Sequence, residues 1–273
     1  MVTPPAPAPL YEVLRDEIRA GRPVALATIV AGPPDRLGAK LLVRATGEAL
    51  GSLGHADLDR VAARDTIGEL EAGRSGTRHY GLNGEARQEE LSVFVESFAP
   101  PPKMIIFGAV DFTAALLRVA KLLGYTVTVC DARPVFATRQ RFPLADEVVV
   151  DWPDRHLTKV GPDLGPRDAV CVLTHDAKFD VPAIVSALAT RVGYIGAMGS
   201  RRTHAARVER LLEAGVDPDD LGRIMSPIGL DIGARTPEET AISICGEIIA
   251  LHTGRRPPSL RDASGPIHSA RAV

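Results

Sequence analysis

Apolar residues recur along this chain in two rhythms, and the change from one to the other falls near residue 100. Residues 11–20 place Val13, Leu14 and Ile18 at helical spacing among charges and stop at Gly21, which predicts an amphipathic helix. The apolar runs 24–30 and 40–43 and the alternating, β-branched stretch 91–98 predict strands. A helix over 57–72 and a polar region over 73–87 lie between the second and third of these. The pattern predicts a small α+β domain over residues 10–99. Pro100, Pro101 and Pro102 close it, because three successive prolines fit neither a helix nor a central strand.

Beyond the prolines, strand-like and helix-like runs alternate. Strands are predicted at 104–107, 126–130, 147–150, 169–173, 192–195 and 223–225. Helices are predicted at 112–123, 181–189, 203–214 and 237–251, the last with Thr236 as N-cap and Pro237 in its first turn. Strands alternating with helices imply crossovers and a parallel sheet, so residues 103–256 read as a Rossmann-type α/β domain. Proline-rich residues 1–9 and the Pro-, Ser- and Arg-rich residues 257–273 read as disordered tails.

Composition narrows the function classes. The 273 residues suffice for two domains, and 45% hydrophobic with 24% charged residues is the balance of a globular protein. A net charge of −2 gives no global attraction to nucleic acid or to an acidic membrane surface. The first ten residues lack a signal-peptide pattern, and no stretch approaches the roughly 18 apolar residues of a membrane span, so a cytoplasmic protein is expected. Cys130 and Cys171 fall in apolar strands and Cys245 on an apolar helix, which reads as core and not as a disulfide framework or a reactive thiol.

The candidate chemistry lies at the strand ends, where open parallel sheets bind ligands. The first strand–turn–helix carries FGAVDFTAAL, the place of the dinucleotide fingerprint G-x-G-x-x-G, but only Gly108 matches. Val110 and Thr113 replace the other glycines, and Asp111 puts a negative charge at a helix start that would otherwise attract phosphate. Gly108 thus reads either as a ligand-loop remnant or as a tight turn. Asp131, 23 residues on, stands where an acidic residue receives a ribose hydroxyl. Three later loops, THDAKFD (174–180), GAMGSRR (196–202) and SPIGLDIGA (226–234), converge on the same edge. Gly199, Ser200, Arg201 and Arg202 offer backbone donors and fixed positive charge for a phosphate, or else a helix cap with solvated arginines. His175 and Asp176, with Asp180 near, suit proton transfer better than metal binding, since three ligands within six residues and no second cluster make a weak metal signal. Ser226, Gly229 and Asp231 belong to a backbone-rich loop suited to close ligand approach, or to a structural turn.

The stretch from VGYIGAMGSRRTHAARVERLLEAGV to SPIGLDIGARTPEETAISICGEIIA, with FVESFAPPPKMIIFGA before it, resembles the XdhC/CoxI family of molybdenum-hydroxylase maturation proteins. VALATIV, LGAKLLV and GSLG resemble that family's smaller domain. Where the family commonly has a G-G-G stretch this chain has GSLGHADLD, with His55 and Ala56, and its first Rossmann loop is GAVDF in place of G-A-G-H-V. The resemblance implies an accessory chaperone without turnover of its own. Such a protein binds the molybdenum cofactor, a phosphorylated pterin, while a cysteine desulfurase supplies its terminal sulfur. It then helps insert the cofactor into the large subunit of a xanthine dehydrogenase- or carbon monoxide dehydrogenase-type hydroxylase, working as a homodimer. On this reading Ser200, Arg201 and Arg202 hold the phosphate and His175, Asp176 and Asp231 face the pterin or the metal. Two alternatives stay open: an NAD(P)-dependent oxidoreductase using Asp131, against which Val110 and Asp111 argue, and a module that docks the apoenzyme without any ligand.

Overall fold

The computed structural model of this chain describes residues 9–85, 88–252 and 261, which form two compact units parting between Pro100 and Pro101. The tails expected at 1–9 and 257–273 lie outside the described residues, apart from Pro9 and Arg261.

The first unit runs α1 (Leu10–Arg19), β1 (Val24–Ala31), β2 (Lys40–Arg44), β3 (Ala49–Ser52), α2 (Ala56–Ala72), β4 (Gly76–Tyr80) and β5 (Leu91–Phe98). Its strands form one antiparallel sheet in the order β3-β2-β1-β5-β4. Alternation in β1 and β5 sends Ala25, Ala27, Ile29, Leu91, Val93 and Val95 to one face, where Leu58, Ala62 and Leu70 of α2 cover them. Two carboxylates tie helices to strands: buried Glu17 accepts from Arg44 of β2 at 3.0 Å, and buried Glu69 accepts from Arg78 of β4. Strands β3 and β4 have no counterpart in the pattern analysis, and β4 falls within the region read as polar. Both are sheet edges whose side chains are mostly exposed, so ladder hydrogen bonds and not an apolar face define them.

The second unit runs β6 (Lys103–Phe107), α3 (Asp111–Leu122), β7 (Thr126–Cys130), β8 (Glu147–Val149), α4 (Pro153–Val160), β9 (Ala169–Val172), α5 (Ala177–Leu188), β10 (Tyr194–Ala197), α6 (Arg201–Glu213), β11 (Ile224–Met225) and α7 (Pro237–His252). All five strand pairings are parallel, in the order β11-β10-β9-β6-β7-β8. Counted within the unit this is the 3-2-1-4-5-6 order of a Rossmann sheet, read from the other edge. Helices α3 and α7 cover one face through Leu116, Ala120, Ile244 and Ile248. Helices α4, α5 and α6 cover the other through Leu157, Ile184 and Leu211. Each leucine or isoleucine among these, buried from water, contributes about 1.5–3 kcal/mol.

Three element starts differ from expectation by two residues or more, and a whole helix is added. Strand β10 begins at Tyr194, not at 192, because the ladder opposite Ala169 starts there, although Val192 is already in the core. Helix α5 begins at Ala177, four residues early, since Asp176 caps it, and Pro182 sits inside it. Helix α6 begins at Arg201, with Ser200 as its cap. The extra helix is α4, whose sequence PDRHLTKV is apolar only at Pro153, Leu157 and Val160; it buries Pro153, His156 and Leu157. Among the described residues no helix is long and apolar enough to cross a membrane.

Candidate ligand-binding site

The first Rossmann loop uses its polar groups internally. Gly108 has φ +107°, and a Cβ there would meet Thr174 Cγ2 at 2.9 Å, so this position requires glycine to let two strand ends lie close. The Ala109 N–H donates to Asp131 Oδ2 at 2.8 Å, and the Thr113 hydroxyl donates to the Gly108 carbonyl. Asp131 is buried and also accepts from the Arg133 backbone N–H at 2.9 Å and from that guanidinium at 2.9 and 2.8 Å. Burial pushes the Asp131 carboxyl up, but these hydrogen bonds outweigh it and hold it below the usual carboxylate range. The carboxylate positioned for a ribose is therefore spent on its own loop, and the backbone donor next to Gly108 is spent on Asp131.

Over the ends of β10 and β11 lies a cleft of about 670 Å³. His175, Gly199, Ser200, Arg201, Arg202 and Asp231 line it. Its remaining lining includes an apolar floor, with Met198, Ile228 and Leu230, and a wall from α3 and α7 that brings Phe112, Arg235 and Thr240. Ser200 caps α6 by accepting from the Thr203 N–H at 3.1 Å. The first turn of α6 holds no acidic residue, yet it carries Arg201 and Arg202 at the positive end of the helix. A cation there costs about 0.3–1 kcal/mol, which an anion bound at the same end would offset. Helix α7 shows the reverse arrangement. Its Glu239 carboxylate accepts from the Arg235 and Thr236 N–H groups at 2.6 and 3.0 Å, and the Glu239 N–H donates to Thr236 Oγ1 at 3.1 Å, a closed capping box.

Other residues singled out from the sequence stand elsewhere. Asp176 caps α5 by accepting from the Lys178 N–H at 3.1 Å. Gly229 has φ +97°, a Cβ there would strike Ser243 Oγ, and its N–H donates to buried Glu247 at 2.9 Å. Tyr194 donates to the same Glu247 oxygen at 2.7 Å. Ser226 is buried and accepts from Arg207 at 3.0 Å.

Arg207, which stands in none of the loop motifs, is the hub beneath the cleft. Its guanidinium donates to Asp180 at 3.0 Å, to the Met198 carbonyl at 2.7 Å and to Ser226, while the Thr174 hydroxyl donates to Asp180. One side chain thus joins the residues that follow β9, β10 and β11. Burial lifts the Asp180 carboxyl above its ordinary value, against Thr174 and Arg207. The signal for Arg207 was present in the sequence: it shares a helix face with Leu211, one turn on, so a charge occupies the apolar stripe. Burial also pushes the Cys130 and Cys245 thiols up to about 12, and Cys171 well above its ordinary value, so none is a poised nucleophile.

The chain matches the family model described as the XdhC Rossmann domain over residues 104–248 and that of the XdhC and CoxI family over residues 17–81. It is 35% identical over 161 residues to a probable xanthine dehydrogenase subunit of Bacillus subtilis, covering 59% of this chain and 46% of that one. It is 26% identical over 161 residues to the molybdenum cofactor insertion chaperone PaoD of Escherichia coli, covering 59% and 43%. The chain therefore spans less than half the length of these curated relatives. A crystal structure of a xanthine dehydrogenase from Bacillus halodurans superposes with a TM-score of 0.53 at 25% identity, covering 90% of this chain and 96% of that one. With its Rossmann unit matched nearly end to end, and the smaller unit matched by the companion model, the chain belongs to the XdhC/CoxI family.

Proposed function

We propose that this chain is an accessory protein that binds the molybdenum cofactor and assists its maturation and insertion into a molybdenum hydroxylase of the xanthine dehydrogenase or carbon monoxide dehydrogenase type. The observation that carries the reading is the first turn of α6, where Arg201 and Arg202 stand at the positive end of a helix, on the rim of a cleft of about 670 Å³. That volume lies within the range of sites for small organic ligands. A phosphorylated pterin fits such a lining: its phosphate meets the arginines and the α6 start, and His175 and Asp231 offer hydrogen bonds to the ring. Family membership and the likeness to an insertion chaperone support the same reading. Within it, a cysteine desulfurase sulfurates the cofactor while the cleft shields it, and the hydroxylase large subunit receives it. The protein acts as a cytoplasmic homodimer without turnover of its own. NAD(P) is disfavoured, because Asp131 and the Ala109 N–H are engaged with each other.

The test is purification of the full chain from cells that make the cofactor, followed by oxidation and measurement of pterin fluorescence. Wild-type protein is expected to carry pterin, and the Arg201→Ala, Arg202→Ala double variant to lose most of it. Wild-type protein without pterin, alongside a competent family member that retains it, overturns the reading.

A further inference from the structure

We propose that Phe112 and Arg235 complete the cleft as a site for a phosphorylated aromatic heterocycle, Phe112 taking the ring and Arg235 meeting the phosphate from the wall across from Arg201 and Arg202. The inference rests on the reading above that this cleft holds the ligand, and it adds the division of labour between the two walls.

The walls belong to opposite faces of the sheet. Helix α6, which brings Arg201 and Arg202, packs on one face, whereas α3 and α7, which flank Phe112 and Arg235, pack on the other. Phe112 is the second residue of α3; half-buried, it packs on the core layer of α3 and α7 and also lines the cleft with Met198 and Ile228. An aromatic side chain beside an apolar floor gives a flat heterocycle a stacking surface and keeps water from its faces. Arg235 precedes the Thr236 cap. Its backbone N–H and that of Thr236 are already taken by Glu239, and Glu238 and Glu239 fill the first turn of α7. The start of α7 thus already holds a carboxylate at these N–H groups, and Arg235 is the cation that this segment brings to the cleft lining. The lining carries three arginines and one carboxylate, Asp231, a composition suited to a phosphate group.

The probes are 6-hydroxymethylpterin, its monophosphate and inorganic phosphate, each titrated calorimetrically into the full chain. The monophosphate is expected to bind wild type most tightly, with an affinity that falls as salt rises. Phe112→Ala is expected to weaken both pterins tenfold or more and leave inorganic phosphate unchanged, with Phe112→Trp restoring them. Arg235→Ala is expected to weaken the monophosphate and inorganic phosphate tenfold or more, flatten the salt dependence and leave the unphosphorylated pterin unchanged, with Arg235→Lys recovering part of the loss. Arg235 is exposed and Phe112 half-buried against the core, and unchanged binding of inorganic phosphate by Phe112→Ala reports that this variant is folded. Wild-type affinities in either alanine variant overturn the proposal. So does failure of wild type to bind any probe, or undiminished retention of cellular pterin by both alanine variants. If the probes bind with the expected dependence while the purified protein carries no molybdenum cofactor, the assignment of Phe112 and Arg235 stands and the cofactor reading falls.

Discussion

Arg207 and Asp180 are 2% and 3% exposed, so their ion pair is dry. Removing one partner of such a pair strands the other charge, at a typical cost of about 3–5 kcal/mol, whereas removing both leaves a void and a few neutral groups to satisfy. Arg207→Met is therefore expected to lower the urea midpoint sharply, and Arg207→Met with Asp180→Leu to recover much of the loss. A double variant no more stable than the single one argues against this account. The same logic separates Asp131 from the cleft residues. Its carboxylate has four internal donors, so its role is to fix the loop after β6, and a ligand has no lone pair left to claim. Ser226 and Gly229 are likewise absorbed by Arg207 and Glu247. None of these assignments was legible from residue type, because a serine or aspartate at a strand end serves a ligand and a buried network equally well.

Among the elements, α4 shows how a polar segment can be necessary to a core. It packs through Leu157 and through His156, which is buried, meets the Phe107 ring edge-on at 6.3 Å and leaves its Nε2 without a hydrogen-bond partner among the described residues. Burial lowers the pKa of His156, and of His204, below the ordinary 6.5. Between the unfolded and the folded pKa values the unfolded chain binds more protons. Folding stability is then full above about pH 6.5 and is lost as pH falls through the lower folded values. Urea unfolding across pH 5–8 is expected to show this decline, and His156→Leu to make it shallower. An unchanged slope in that variant removes His156 from the effect. The element starts carry a related lesson. Periodicity placed α5 and α6 late because it registers apolar spacing, whereas the caps at Asp176 and Ser200 set the true first turns.

At the scale of the whole molecule, each unit has its own core: among the described residues, none belongs both to the core of the first and to the two layers of the second. A fragment comprising residues 101–273 is expected to unfold in one cooperative urea transition and to keep native near-ultraviolet dichroism. A broad, non-cooperative transition speaks against its independence. The sequence by itself determined the alternation of strands and helices beyond Pro102, the two-part organisation, the three buried cysteines as core residues, and the family, because periodicity, proline and motif are local properties carried by consecutive residues. It also pointed to the loops around Gly199 and Asp231. Only the tertiary structure decided which polar groups face the cleft. Phe112, His175, Arg202 and Arg235 come from four separate loops and helix starts, brought to one place by the parallel sheet, while Asp131, Ser226 and Gly229 were claimed by partners from 2 to 22 residues away in chain order. Whether a polar side chain remains free for a ligand depends on which distant donor or acceptor reaches it first, and that is a property of packing, not of spacing along the chain.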